Sequence, residues 1–155
     1  MLKERKKLVG VLVALYLASL PFTGFCYGRN TCWAGGGILL LGFAALIDGV
    51  QVSWFANLLI ILAWGSLLQR SKSSDRIAFG YCIGALIVGN AFLFQGVDTS
   101  EAGLRLVRVS SLGIGYWLWM GSITLSFTLA AHGVFGNSAL SSSEERNCGA
   151  LRRDD

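Results

Sequence analysis

Gln69-Arg70-Ser71-Lys72-Ser73-Ser74-Asp75-Arg76 is a run of polar residues standing between two blocks that are almost wholly apolar, residues 53–68 before it and 77–94 after it. Arg70, Lys72 and Arg76 make the run basic. A compact basic loop between apolar blocks reads as a turn between two membrane-spanning helices, held on the cytoplasmic side because positive loops are retained there. The rest of the chain repeats the pattern in both directions.

Upstream, residues 8–25 form an apolar run behind Lys3, Arg5, Lys6 and Lys7, and residues 33–47 form a second block, Gly-rich at Gly35, Gly36, Gly37 and Gly42, that ends at Asp48-Gly49. Downstream, residues 95–111 are a mixed polar connection carrying Asp98, Glu101, Arg105 and Arg108, and residues 112–135 are the last apolar block. The tail 137–155 is Ser-rich and charged, the composition of a flexible segment. Overall, 54% of residues are hydrophobic, 14% are charged and the mean hydropathy is +0.58, on the apolar side of a soluble domain. The roughly ten-residue alternating segments of a transmembrane barrel are absent, so helices are expected.

A helix needs about twenty residues to cross the hydrocarbon core, and block 33–47 falls short. Two topologies compete, and the Lys and Arg residues choose between them. If 33–47 does not cross, ten basic residues face the cytoplasm and three, Arg29, Arg105 and Arg108, face outside. If it crosses, the split is six inside against seven outside. The expectation is therefore an all-α integral membrane protein with four crossings (8–25, 53–68, 77–94, 112–135), a short re-entrant or interfacial segment at 33–47, one domain over 1–136 and both termini cytoplasmic. Five crossings is the alternative. The opening also resembles a signal peptide, but Phe25 before Cys26 suits lipoprotein cleavage poorly, and an uncleaved anchor is expected. Under the four-crossing topology Tyr27, Trp33, Trp54, Tyr116, Trp117 and Trp119 gather near the outer interface, with Trp64 and Tyr81 towards the inner side.

Cys26 and Cys32 then lie on the oxidising side, separated by Tyr27-Gly28-Arg29-Asn30-Thr31, whose Gly and Asn suit a tight loop that a disulfide would close. Two free thiols and a thiol-exchange pair are the alternatives, the last disfavoured because such chemistry prefers Cys-x-x-Cys spacing. Cys82 reads as a buried small hydrophobe and Cys148 as free. His132 is the single histidine, which removes most metal-ligand sets and the usual nucleophile–base pairs, so neither metal nor cofactor is expected.

Polar side chains within apolar blocks are the candidate site, since each is unfavourable in hydrocarbon without a partner. Asp48, Gln51, Asn57, Asn90 and Gln95 qualify, with Asn57 and Asn90 placed to face one another across two helices. They read either as interhelical hydrogen bonds or, with Asp48, as an outward-facing pocket for a cation, proton or small solute. Gly80-x-x-x-Gly84 suggests close helix packing, and Gly10, Ala14 and Ala18 form a weaker face of that kind.

Three stretches, Cys26 with Cys32, Trp54-Phe55-Ala56-Asn57-Leu58-Leu59, and Gly113-Ile114-Gly115-Tyr116-Trp117-Leu118-Trp119, together resemble a group of small uncharacterised bacterial membrane proteins with a Cys-containing first loop and a Gly-Tyr-Trp-Leu-Trp last helix. The Asn-Pro of that pattern is Asn57-Leu58 here. The resemblance implies a bacterial inner-membrane location and transfers no activity.

Nucleic acid is not an expected partner: the pI of about 9.1 and net charge of +4 come from basic residues spread over membrane-flanking loops. The lipid bilayer is, together with another membrane protein or a second copy. The leading expectation is a non-enzymatic interaction or accessory protein. A small transporter or channel using Asp48, Asn57 and Asn90 comes second, and a thiol-redox protein using Cys26 and Cys32 third.

Overall fold

The computed structural model describes residues 2–27, 31–47, 52–69, 71–91, 93–94, 97–98, 106–107 and 109–151. Among them are five α-helices, α1 (Leu2–Ser19), α2 (Gly35–Ile47), α3 (Phe55–Leu68), α4 (Lys72–Ala91) and α5 (Ile114–Leu151), with a 3-10 turn over Val52–Trp54 leading into α3. Five short strands accompany them: β1 (Thr23–Tyr27), β2 (Thr31–Ala34), β3 (Val97–Asp98), β4 (Leu106–Val107) and β5 (Val109–Leu112).

Helices α1, α3, α4 and α5 make an up-and-down bundle. At one end Arg5 of α1 pairs with Asp75 in the first turn of α4, and a Cβ on Gly133 of α5 would lie 2.8 Å from the same carboxylate. At the other end Asn57 of α3 accepts from Tyr16 of α1 and Trp119 of α5, while Gly89 of α4 abuts the Trp119 ring. Between the ends the interior is built of small and hydroxylated residues. Ala56, Ala63, Ala78, Ala85, Ala130, Ser122 and Ser126 are fully buried beside Ile60, Leu67, Cys82 and Ile123. Ser122 Oγ donates across to the Leu12 carbonyl, and Trp64 Nε1 donates to Ser126 Oγ. The outside is the reverse: Val11, Ile61, Ile87, Leu125 and Phe135 are each at least half exposed.

The helix ends follow from local chemistry. Pro21 has no N–H to continue α1, which closes in a turn with Leu20 N donating to the Leu17 carbonyl. The first amides of α2 then take up carbonyls left free there, Gly36 N to Leu20 O and Gly35 N to Phe22 O, so that the N-terminus of one helix meets the C-terminus of the other. Ser71 caps α4 by accepting from the amides of Ser73 and Ser74. Most of the basic run between blocks is therefore the first turn of α4, which begins five residues before the sequence boundary at 77.

Strands β1, β2 and β5 form a three-stranded antiparallel sheet in the order β2-β1-β5 over the Asn57 end of the bundle, and β3 pairs with β4. The described residues are mostly helical, as expected, and these short strands are the departure from the all-α reading. Residues 20–25, read as the end of a first crossing, are instead a turn and a strand, because Pro21 stops the helix and the β-branched and aromatic residues on both sides of the cysteines pair across the loop.

The four full crossings are not supported by the helices as they stand. Among the described residues only Ile114–Gly136, at a mean hydropathy of 1.3, is long and apolar enough to cross a membrane, and Val52–Leu68 is apolar but shorter. Helix α1 spends its first turns on Lys3, Glu4, Arg5, Lys6 and Lys7, and α4 on Lys72, Asp75 and Arg76. Helix α5 runs on to Leu151, through the stretch read as a flexible tail, since no proline interrupts it. Of the glycines expected to pack closely, Gly84 does so, a Cβ there lying 3.2 Å from Leu59 of α3, while Gly80 and Gly10 meet nothing within 4 Å. Trp64, expected towards the inner interface, is 8% exposed within the bundle.

Candidate functional site

Two glycine contacts hold the sheet and α2 against the bundle. A Cβ on Gly115 would come within 2.9 Å of the carbonyl oxygens of Phe22, Ser19 and Thr23, and one on Gly35 would reach the Ser19 oxygen at 2.8 Å. The start of α5 and the start of α2 thus both sit on the turn that ends α1. Gly113 N completes the seam by donating to Gly24 O.

The elements joined there enclose a cleft of about 80 Å³ that opens to the surface. Its walls are mostly apolar and aromatic: Phe25 of β1, Ile38 and Leu39 of α2, Trp54 before α3, and Tyr116 and Trp119 of α5. Tyr116 and Trp119, three apart on α5, turn inward together, and Trp117 between them is 62% exposed. Trp54 fastens the wall across the chain by donating from Nε1 to the Leu39 carbonyl, and Gly42 leaves room for its ring.

Asn57 is the polar centre of the cleft. Its Oδ1 accepts from Tyr16 Oη and from Trp119 Nε1, each at 3.0 Å. An indole nitrogen only donates, so the atom facing Trp119 must be the amide oxygen, and the orientation of the side chain is settled. Among the described residues none accepts a hydrogen bond from its Nδ2 group.

Of the other expected site residues, the one described does not join it. Asn90 is exposed and donates to the Leu86 carbonyl of its own helix, sharing no hydrogen bond with Asn57. Asp48, Gln51 and Gln95 lie outside the described residues. Tyr16, Trp54, Tyr116 and Trp119 are the cleft residues that reading by polarity passes over; the inward pair at Tyr116 and Trp119 is visible in sequence only as an i, i+3 spacing.

Cys26 and Cys32 are Cα partners of β1 and β2, and their sulfurs stand 2.01 Å apart, at disulfide distance. Phe25 and Trp33, one step along each strand, pack with Tyr116. Successive side chains of a strand point to opposite faces, so the cysteine pair faces away from the cleft. No protein-family model, curated protein or solved structure matches this chain.

Proposed function

We propose that the chain is a multi-pass protein of a bacterial inner membrane that works by binding another membrane component and catalyses no reaction. The observation that carries the membrane reading is the inverted packing of the bundle. Its interior is rich in alanine and serine, with Ile60, Leu67 and Ile123 among the few large residues fully buried there, and its exterior carries valine, isoleucine, leucine and phenylalanine. Small interfacial residues with large apolar residues outside are what helix association in lipid selects. Only 22% of the most apolar 18 residues within Ile114–Gly136 are buried inside the protein, whereas the core helix of a soluble domain with the same length and hydropathy is mostly buried.

Exposed polar side chains behave in keeping with this. Ser66, Asn90, Thr124 and Thr128 each turn back to a carbonyl of their own helix, which removes a free polar group from an apolar surround. In this reading α1, α3, α4 and α5 are the crossings, with the Arg5–Asp75 end cytoplasmic and the disulfide-bearing cap outside. Segment 33–47 does not cross, a reading supported by Gly35, Leu39 and Gly42 all contacting the capped end, where Val52–Trp54 also lies. The apolar lengths of α1, α3 and α4 are short for an average bilayer, a mismatch that local thinning accommodates at fractions of a kcal/mol per Å. The partner is a second membrane protein or a second copy.

Thiol labelling of intact cells with an impermeant reagent, on single-Cys variants at Gly49 and Ser73 in a background without the native cysteines, tests the topology. Labelling at Gly49 alone is expected. Labelling at Ser73 alone would reverse the assignment, and release of the chain from membranes by alkaline carbonate would remove the membrane reading altogether. For the interaction, a photo-crosslinker at exposed Trp117 should yield one discrete adduct with a membrane protein or with a second copy; a chain that stays uncrosslinked sinks it.

A further inference from the structure

We propose that the outer cleft binds a membrane-dissolved amphiphile through a carbonyl oxygen that accepts from Asn57 Nδ2, with the apolar body of the ligand held between Trp54, Tyr116 and Trp119. The inference deepens the membrane reading by naming a ligand class for this face of the protein, and it takes its source of ligand from that reading.

Three observations converge on one chemistry. The cleft is apolar over nearly all its wall, so most of the ligand is apolar. The one side-chain amide that the described residues set into it has its oxygen doubly occupied by Tyr16 and Trp119, and among those residues its nitrogen has no acceptor. The site therefore offers hydrogen-bond donors and withholds that acceptor, which favours a carbonyl oxygen over a hydroxyl or amine. Finally, Tyr16 and Trp119 lock Asn57 in place from two different helices, so the donor is pre-oriented before anything binds. Among the described residues no charged side chain lines the cleft, which disfavours an ionic headgroup lodged inside it.

Two compounds dissolved in a bacterial membrane carry such a carbonyl on an apolar body, an isoprenoid quinone and the ester of an acyl lipid. Redox exchange with the cysteines is not part of the proposal, because the disulfide faces away from the cleft.

The test uses the full chain purified in a maltoside detergent, which has no carbonyl of its own, and isothermal titration with two matched pairs of probes. The first pair is monodecanoylglycerol and its ether counterpart 1-decylglycerol; the second is a decyl-substituted benzoquinone and the dimethyl ether of its hydroquinone. Within at least one pair the carbonyl compound should bind about three- to tenfold more tightly, the ratio one hydrogen bond supplies. The pair that shows the preference identifies the source. The preference should vanish in Asn57→Ala and in Asn57→Asp at pH 8, the latter keeping an acceptor for Tyr16 and Trp119. Equal binding of both members in both pairs by the unaltered chain overturns the proposal without recourse to any variant, and so does a preference that survives both substitutions. Binding in micelles does not depend on topology: a chain that carbonate extracts but that still discriminates the pairs retains the cleft and loses the membrane assignment, and the reverse result separates them the other way.

Discussion

Gly115 has no side chain because three backbone oxygens already occupy the space where a Cβ would go. Gly115→Ala should push α5 off the turn that ends α1 and lower stability by about 1–3 kcal/mol, the usual range for overpacking; thermal unfolding in detergent measures it. Gly80→Ala, which meets open space, should be neutral or stabilising by up to about 1 kcal/mol through helix propensity. The contrast marks what spacing can and cannot reveal. Gly80 has the better motif and the emptier surroundings, because a motif records which residues share a helix face and leaves open what each of them meets. Asn57 was visible as a polar residue in an apolar block; its partners lie 41 and 62 residues away along the chain, and no local pattern encodes them. Asn90 looked equivalent, yet its side chain finds the carbonyl one turn back.

At the scale of elements, the β1–β2 pair is a short hairpin closed by Cys26 and Cys32, which are six positions apart. Closing so small a loop is worth about 2 kcal/mol in the chain-entropy account. Reduction should therefore lower the midpoint of thermal unfolding of the native chain and leave that of a Cys26→Ser, Cys32→Ser double variant unchanged; an equal response of both would show that the bond carries no stability. The cysteine spacing announced the loop, but the strands on either side were hidden because Thr23–Tyr27 continues an apolar run and looks like helix. The helix boundaries at Ser19 and Ser71 were readable in principle from Pro21 and from a serine ahead of the basic turn. What the chain does not announce locally is β5, which joins β1 from beyond the fourth helix.

For the whole molecule, the decisive property is which solvent meets its exterior. Leu125 lies at the middle of the Ile114–Gly136 stretch and is 50% exposed. Leu125→Lys should disfavour membrane integration by about 2.5–3.5 kcal/mol if lipid surrounds it, seen as a fall in the carbonate-resistant fraction. In water the same exchange would stay within about 0.5 kcal/mol. The sheet order β2-β1-β5 bears on how such a molecule comes into being. Its central strand, already paired in the N-terminal hairpin, waits for an edge strand made some 80 residues later, and the cleft lacks two aromatic walls until α5 arrives. Synthesis proceeds from the N-terminus, so the cysteines can be oxidised on a chain whose cleft does not yet exist. In a pulse-chase experiment the disulfide should appear before protease resistance of the cap, and a chain stopped ahead of Val109 should acquire the first without the second. Ligand capture is in this way reserved for finished copies.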